Sequence, residues 1–185
     1  MKIAINKISL ELVSGDILLL PVQAVVTATD TNLTPSPELI ATAGEELRHE
    51  TAQIGWCEVG SAVVTGSGRL PHARHVIHAV APRWGEGTER GKLANVTWEC
   101  LWLAESIHVD SIALPAISVG TPGYPVEACA QIMISRVIDF TFESTKSLRH
   151  IVLCLADHLV FSSFATEFQR QIDQMRQSGE GSVFD

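Results

Sequence analysis

Apolar and polar positions change period several times along the chain, and each change marks an element. Residues 3–12 alternate, with Ile3, Ile5, Ile8, Leu10 and Leu12 apolar and a slip near Asn6 and Lys7, which predicts an edge-type strand. The β-branched run at 24–28 predicts a buried strand. Leu39, Ile40, Ala43 and Leu47 follow a helical spacing over 38–53, with Ser36 as N-cap and Pro37 at the first helical position. Strands are expected at 60–65, 74–80, 111–117 and 149–155, and helices at 93–107, 126–140 and 159–175. About six strands alternating with at least four helices predict a three-layer α/β/α domain with a mixed, largely parallel sheet. Residues 1–177 read as a single domain, and 178–185 as a flexible tail.

Composition narrows the function classes. Apolar residues make up 46% and charged residues 18%, which excludes overall disorder. The net charge is −8 and no Lys/Arg run is present, which argues against a nucleic-acid partner. No apolar run is long enough to span a bilayer, and the first residues lack a signal-peptide pattern, so no membrane association is expected. Cys57, Cys100, Cys129 and Cys154 have no metal or redox spacing; three of them sit in apolar segments and read as buried thiols, and a reduced, cytoplasmic protein is expected. Neither a metal nor a cofactor is expected. His72 and His75 straddle a turn without a third ligand, and His78 reads as a core residue.

The chemistry concentrates where strands end. Residues 118–124, Ser-Val-Gly-Thr-Pro-Gly-Tyr, join a strand to a helix. Glycines at 120 and 123 allow positive φ and close approach of the main chain, so backbone N–H groups there suit a phosphate. An ordinary strand–helix connection has the same pattern. Gly15-Asp16-Ile17, Thr27-Ala28-Thr29-Asp30 and the segment ending at His78 occupy equivalent strand ends, where α/β sheets bind ligands.

Taken in order, Gly15-Asp16-Ile17, Gln23-Ala24-Val25-Val26, Ala43-Gly44, the Gly-Ser-Ala-Val-Val-Thr-Gly run at 60–66, the Val-Ile-His-Ala-Val-Ala-Pro run at 76–82 and the Leu-Pro-Ala-Ile-Ser-Val-Gly run at 114–120 resemble the macrodomain family, the ADP-ribose-binding fold. The resemblance covers most of the chain, from about Ile8 to Leu155. It implies that Asp16 accepts the exocyclic amine of adenine and that the Ile17 N–H serves a ring nitrogen. It implies that Ser118, Val119, Gly120, Thr121, Pro122, Gly123 and Tyr124 form the second diphosphate loop, and that Leu155 lies near the adenine ring. From the residues alone, Asp16 equally suits a Ser-Gly-Asp turn that it stabilises itself.

Several positions depart from the family pattern. Family members active as enzymes carry Asn-Ala-Ala-Asn followed by a glycine run. Here Thr27-Ala28-Thr29-Asp30 stands at the motif and 31–37, Thr-Asn-Leu-Thr-Pro-Ser-Pro, replaces the glycines. Pro35 and Pro37 remove two donors. Pro122 stands where an aromatic residue is common, and Tyr124 is either the candidate to compensate or, as the resemblance also implies, a packing aromatic. Asp30 is either a general base beside a ribose or the anchor of its own Asx-turn. Exposed in its loop, Trp84 would cover a ligand or join a subunit contact. The expected function is binding of ADP-ribose or a related adenine nucleotide with little or no turnover. The alternatives are an ADP-ribosyl hydrolase or ADP-ribose-1″-phosphate phosphatase using Asp30, and a protein-interaction module, with a protein partner or homo-oligomer contact, that has lost nucleotide binding.

Overall fold

The slip at Asn6 and Lys7 is a chain reversal. In the computed structural model, which describes residues 1–184, Asn6 adopts a left-handed φ of 55° between β1 (Lys2–Ile5) and β2 (Ile8–Val13). The two strands pair antiparallel with Ile5 opposite Ile8 and Ile3 opposite Leu10, so both apolar series face one side. One expected strand is therefore a hairpin. Its turn carries no glycine, because Asn is one of the few other residues that tolerates this conformation.

The remaining elements follow the alternation. They are β3 (Ala24–Thr29), α1 (Pro37–Ala43), α2 (Glu46–Ile54), β4 (Ala62–Gly66), β5 (His75–Val80), α3 (Glu89–Ser106), β6 (Ser111–Leu114), α4 (Val126–Phe140), β7 (His150–Cys154), α5 (His158–Ser178) and β8 (Val183–Phe184). The helix expected over 38–53 is two helices. Gly44, at φ 97°, ends α1 with its N–H on the Ile40 carbonyl, and the chain restarts at Glu46. The Ser36 side chain caps α1 by accepting from the Leu39 N–H at 3.2 Å. Within the stretch expected to be a tail, β8 pairs antiparallel with β1.

The strands form one mixed sheet of eight, ordered β4-β5-β3-β6-β7-β2-β1-β8, where about six were expected. From β5 to β2 neighbouring strands are parallel, and the antiparallel pairs lie at the two edges. Side chains of the central strands alternate between two layers. Ala24, Val26, Ile112, Leu114, Ile151 and Leu153 pack with α3, α4 and α5. Val25, Val76, Ala113 and Val152 face Leu39, Ile40, Ala43 and Leu47 of α1 and α2. The two faces explain why these strands read as continuous apolar runs.

One buried carboxylate ties the layers together. Glu105, near the end of α3 and 9% exposed, accepts the backbone N–H groups of Lys146, Ser147 and Leu148 at 2.7–3.2 Å. Burial alone would raise its pKa. The bonds from Leu148, Lys146 and Ser147, with the Arg149 charge, hold it below the usual carboxylate range. No helix among the described residues is long and apolar enough to cross a membrane.

Candidate functional site

The parallel strands end together, and the segments that leave them enclose a groove. One cavity, of about 590 Å3, is lined by residues at the end of β3 and after β3 and β6, including Thr27, Asp30, Ile117, Val119, Thr121 and Pro122. A second, of about 610 Å3, lies toward β7 and is lined by Gly15, Gly120, Leu155, Ala156, Asp157 and Val160, among others. Asp16, Ile17, Pro115, Ala116 and Val119 line both, so the two cavities adjoin and Asp16 stands where they meet.

Asp16 has a local role as well as an exposed position. Its Oδ1 accepts the Leu18 N–H at 2.9 Å and caps the 3-10 turn Ile17–Leu19. This is the turn-stabilising geometry, and it leaves the second carboxylate oxygen without a bond to any described residue. Next to it Cys154, buried at the end of β7, gives its Sγ–H to the Gly15 carbonyl at 3.4 Å. Burial, with the nearby Asp16 charge, pushes this thiol up to about 11, so it is a neutral part of the wall.

Asp30 anchors its own loop. Its Oδ1 accepts the N–H groups of Asn32 (3.0 Å) and Thr34 (3.1 Å), and its carbonyl accepts the Leu33 N–H at 3.0 Å. Leu33 takes a left-handed φ of 58° and turns its side chain into a small cluster with Cys57 and Val80, where it is 1% exposed. The Thr31 carbonyl accepts the Cys57 N–H at 3.0 Å. The segment 31–37 is thereby held outward. Of its residues only Ser36 borders the groove, followed by Glu38 and Leu39 of α1.

The second loop closes largely on itself. The Val119, Gly123 and Tyr124 N–H groups bond the Ala116, Gly120 and Ser118 carbonyls at 2.8–3.2 Å. Gly120 (φ 93°) and Gly123 (φ 74°) supply the positive φ this winding needs; an added Cβ would meet nothing at either, so their requirement is conformational. The Gly120 and Thr121 N–H groups have no partner among the described residues.

Ser118, Gly123 and Tyr124 do not line the groove. Ser118 is fully buried, and Tyr124, 3% exposed, lies edge-on to Trp84 with ring centroids 5.1 Å apart. Tyr124 is thus a support beneath the loop and does not replace the aromatic face missing at Pro122. Trp84 is half exposed, and its N–H bonds the Pro122 carbonyl at 3.0 Å. Its neighbour Arg83, which sequence reasoning passed over, does line the groove, as do Ser36, Glu38, Pro115 and Ala116. The only signals for Arg83 were its place directly after a strand-end motif and beside Trp84.

No histidine among the described residues lines the groove. His78 lies in the core with its Nε2 2.9 Å from the Thr65 hydroxyl, and burial lowers its pKa to about 4. No cluster of three His, Cys, Asp or Glu suited to a metal is found among the described residues.

An α/β/α sandwich whose ligand groove crosses the ends of a parallel sheet, walled by an acidic turn and a glycine loop, defines the class. The family model described as Macro domain matches residues 36–133, just over half of the chain. A macro domain-containing protein of Caldanaerobacter subterraneus subsp. tengcongensis is 35% identical, over 89% of this chain and 99% of its own. The O-acetyl-ADP-ribose deacetylase of Salmonella newport is 39% identical, over 71% of this chain and 78% of its own. The solved structure of the Oceanobacillus iheyensis macrodomain with ADP superposes with a TM-score of 0.88 at 26% identity, covering 94% of this chain and 97% of that one. The chain belongs to the macrodomain family.

Proposed function

We propose that the groove binds ADP-ribose or a related adenine nucleotide, with little or no turnover. The observation that carries this reading is the outward anchoring of 31–37 through Leu33, which leaves the groove open although the glycine run is gone. In this reading adenine occupies the cavity toward β7, against Leu155 and Val160, and its amine donates to the second oxygen of Asp16. The diphosphate lies along Gly120 and Thr121, and the distal ribose meets Thr27, Asp30 and Pro122.

Weak turnover is supported by Asp30. One of its carboxylate oxygens is already committed to the N–H groups of Asn32 and Thr34, and no histidine among the described residues lines the groove to share proton transfer. A second reading, hydrolysis of an ADP-ribosyl ester or of ADP-ribose-1″-phosphate with Asp30 as base, is favoured by the identity to the Salmonella deacetylase. Calorimetric titration with ADP-ribose, with AMP and buffer as controls, tests the first reading. Micromolar binding, worth about 8 kcal/mol, is expected, with no product released from O-acetyl-ADP-ribose on prolonged incubation. Product formation that disappears in Asp30→Ala would establish the second. No heat at millimolar ADP-ribose would reject nucleotide binding and leave a protein-interaction role.

A further inference from the structure

A diphosphate brings two negative charges into the groove, and donors or cations must meet them. The backbone supplies few. In 31–37 the Asn32, Leu33 and Thr34 N–H groups are bonded to Asp30, Pro35 and Pro37 have none, and of the remaining two residues, Thr31 and Ser36, only Ser36 borders the groove. In the second loop only Gly120 and Thr121 keep free donors next to Pro122. Asp16, Asp30 and Glu38 meanwhile line the same cavity, and each carboxylate repels a phosphate.

Among the described residues Arg83 is the one cationic side chain that lines the groove. It makes no hydrogen bond or ion pair with any of them. Its backbone is nonetheless fixed on both sides. The Ala81 N–H bonds the Thr29 carbonyl at the end of β3 (3.3 Å), and the Trp84 N–H bonds Pro122 in the glycine loop (3.0 Å). The packing of Trp84 against Tyr124 secures the second tie. Arg83 therefore projects from a strap between the two segments that a bound diphosphate would span.

We infer that Arg83 is the phosphate-binding and specificity-determining residue of this groove, replacing with a guanidinium the backbone donors lost from the first loop. The inference rests on the reading of the groove as a nucleotide site. A guanidinium offers a planar fork of donors matched to phosphate oxygens, and an exposed one costs nothing to desolvate until the ligand arrives. The groove then selects ligands by charge at its centre: diphosphates over the uncharged nucleoside.

The test is titration of the unmodified protein, Arg83→Gln and Arg83→Lys with ADP-ribose, adenosine and inorganic pyrophosphate at two salt concentrations. Arg83→Gln is expected to weaken ADP-ribose roughly 10-fold or more, to flatten its salt dependence and to leave adenosine unchanged. Arg83→Lys is expected to restore the salt dependence and part of the affinity. Equal ADP-ribose affinity and salt dependence in the unmodified protein and Arg83→Gln would overturn the inference while leaving the functional reading intact. If the unmodified protein fails to bind ADP-ribose, that reading falls and pyrophosphate decides. Its binding to the unmodified protein but not to Arg83→Gln supports the role of Arg83. Binding to both, or to neither, overturns it.

Discussion

In the proposed reading Asp16 serves two ends, capping the 3-10 turn through Oδ1 and accepting the adenine amine in the groove that it lines, and the two roles separate by substitution. Asp16→Asn keeps a capping oxygen and is expected to change stability by less than about 0.5 kcal/mol. It puts an amide where an acceptor is needed, so ADP-ribose affinity is expected to fall at least about tenfold. Asp16→Ala loses the same affinity and about 1 kcal/mol of stability besides. Paired urea melts and calorimetry read both quantities. An Asp16→Asn protein that binds normally would confine Asp16 to its turn. His78 makes a different residue-scale prediction. Its pKa is about 4 when folded, against 6.5 for the free side chain. The neutral ring is the stable buried form, so its contribution is fully present above pH 6.5 and is lost as pH falls toward 4. The loss amounts to about 3 kcal/mol. Urea melts at pH 7.5 and 4 should show that decline in the native chain and much less of it in His78→Gln.

Between elements, Glu105 tethers the end of α3 to the segment before β7. Replacing it with Gln removes one acceptor oxygen and the charge that the Lys146, Ser147 and Leu148 N–H groups converge on. A stability loss of about 2–3 kcal/mol is expected in denaturant melts, with nucleotide affinity intact because the residue is remote from the groove. Legibility also divides along element lines. The helix over Val126–Phe140 is recognisable from its period and from Pro125, and both ends agree with the structure. The hairpin at Asn6 was hidden because its turn lacks a glycine, and the break at Gly44 because the apolar period continues across it. The two-residue β8 is too short to leave a pattern. In the groove, Asp16 and Gly120 could be read from local motifs. Arg83 could not, since nothing in the order of residues tells that the loop after β5 is strapped to the loop after β6. Whether Tyr124 faces a ligand or packs could not be read for the same reason: its burial beside Trp84 is a contact between distant segments.

For the whole molecule, the sheet brings five chain segments to one edge, and the groove exists only because they end in register. Of these walls, the first loop is fixed in its placement by Leu33, which is buried in the cluster with Cys57 and Val80. That lock has a kinetic meaning. With the first loop held by a buried side chain, nucleotide entry in the proposed reading should be a single encounter without a preceding isomerisation of that loop. Observed rates from stopped-flow tryptophan fluorescence are expected to rise linearly with ADP-ribose, whereas a plateau would reveal a gate. Loosening the lock with Leu33→Ala should introduce that plateau, and the protein would then exchange a fast, always-ready site for one that must first find its shape.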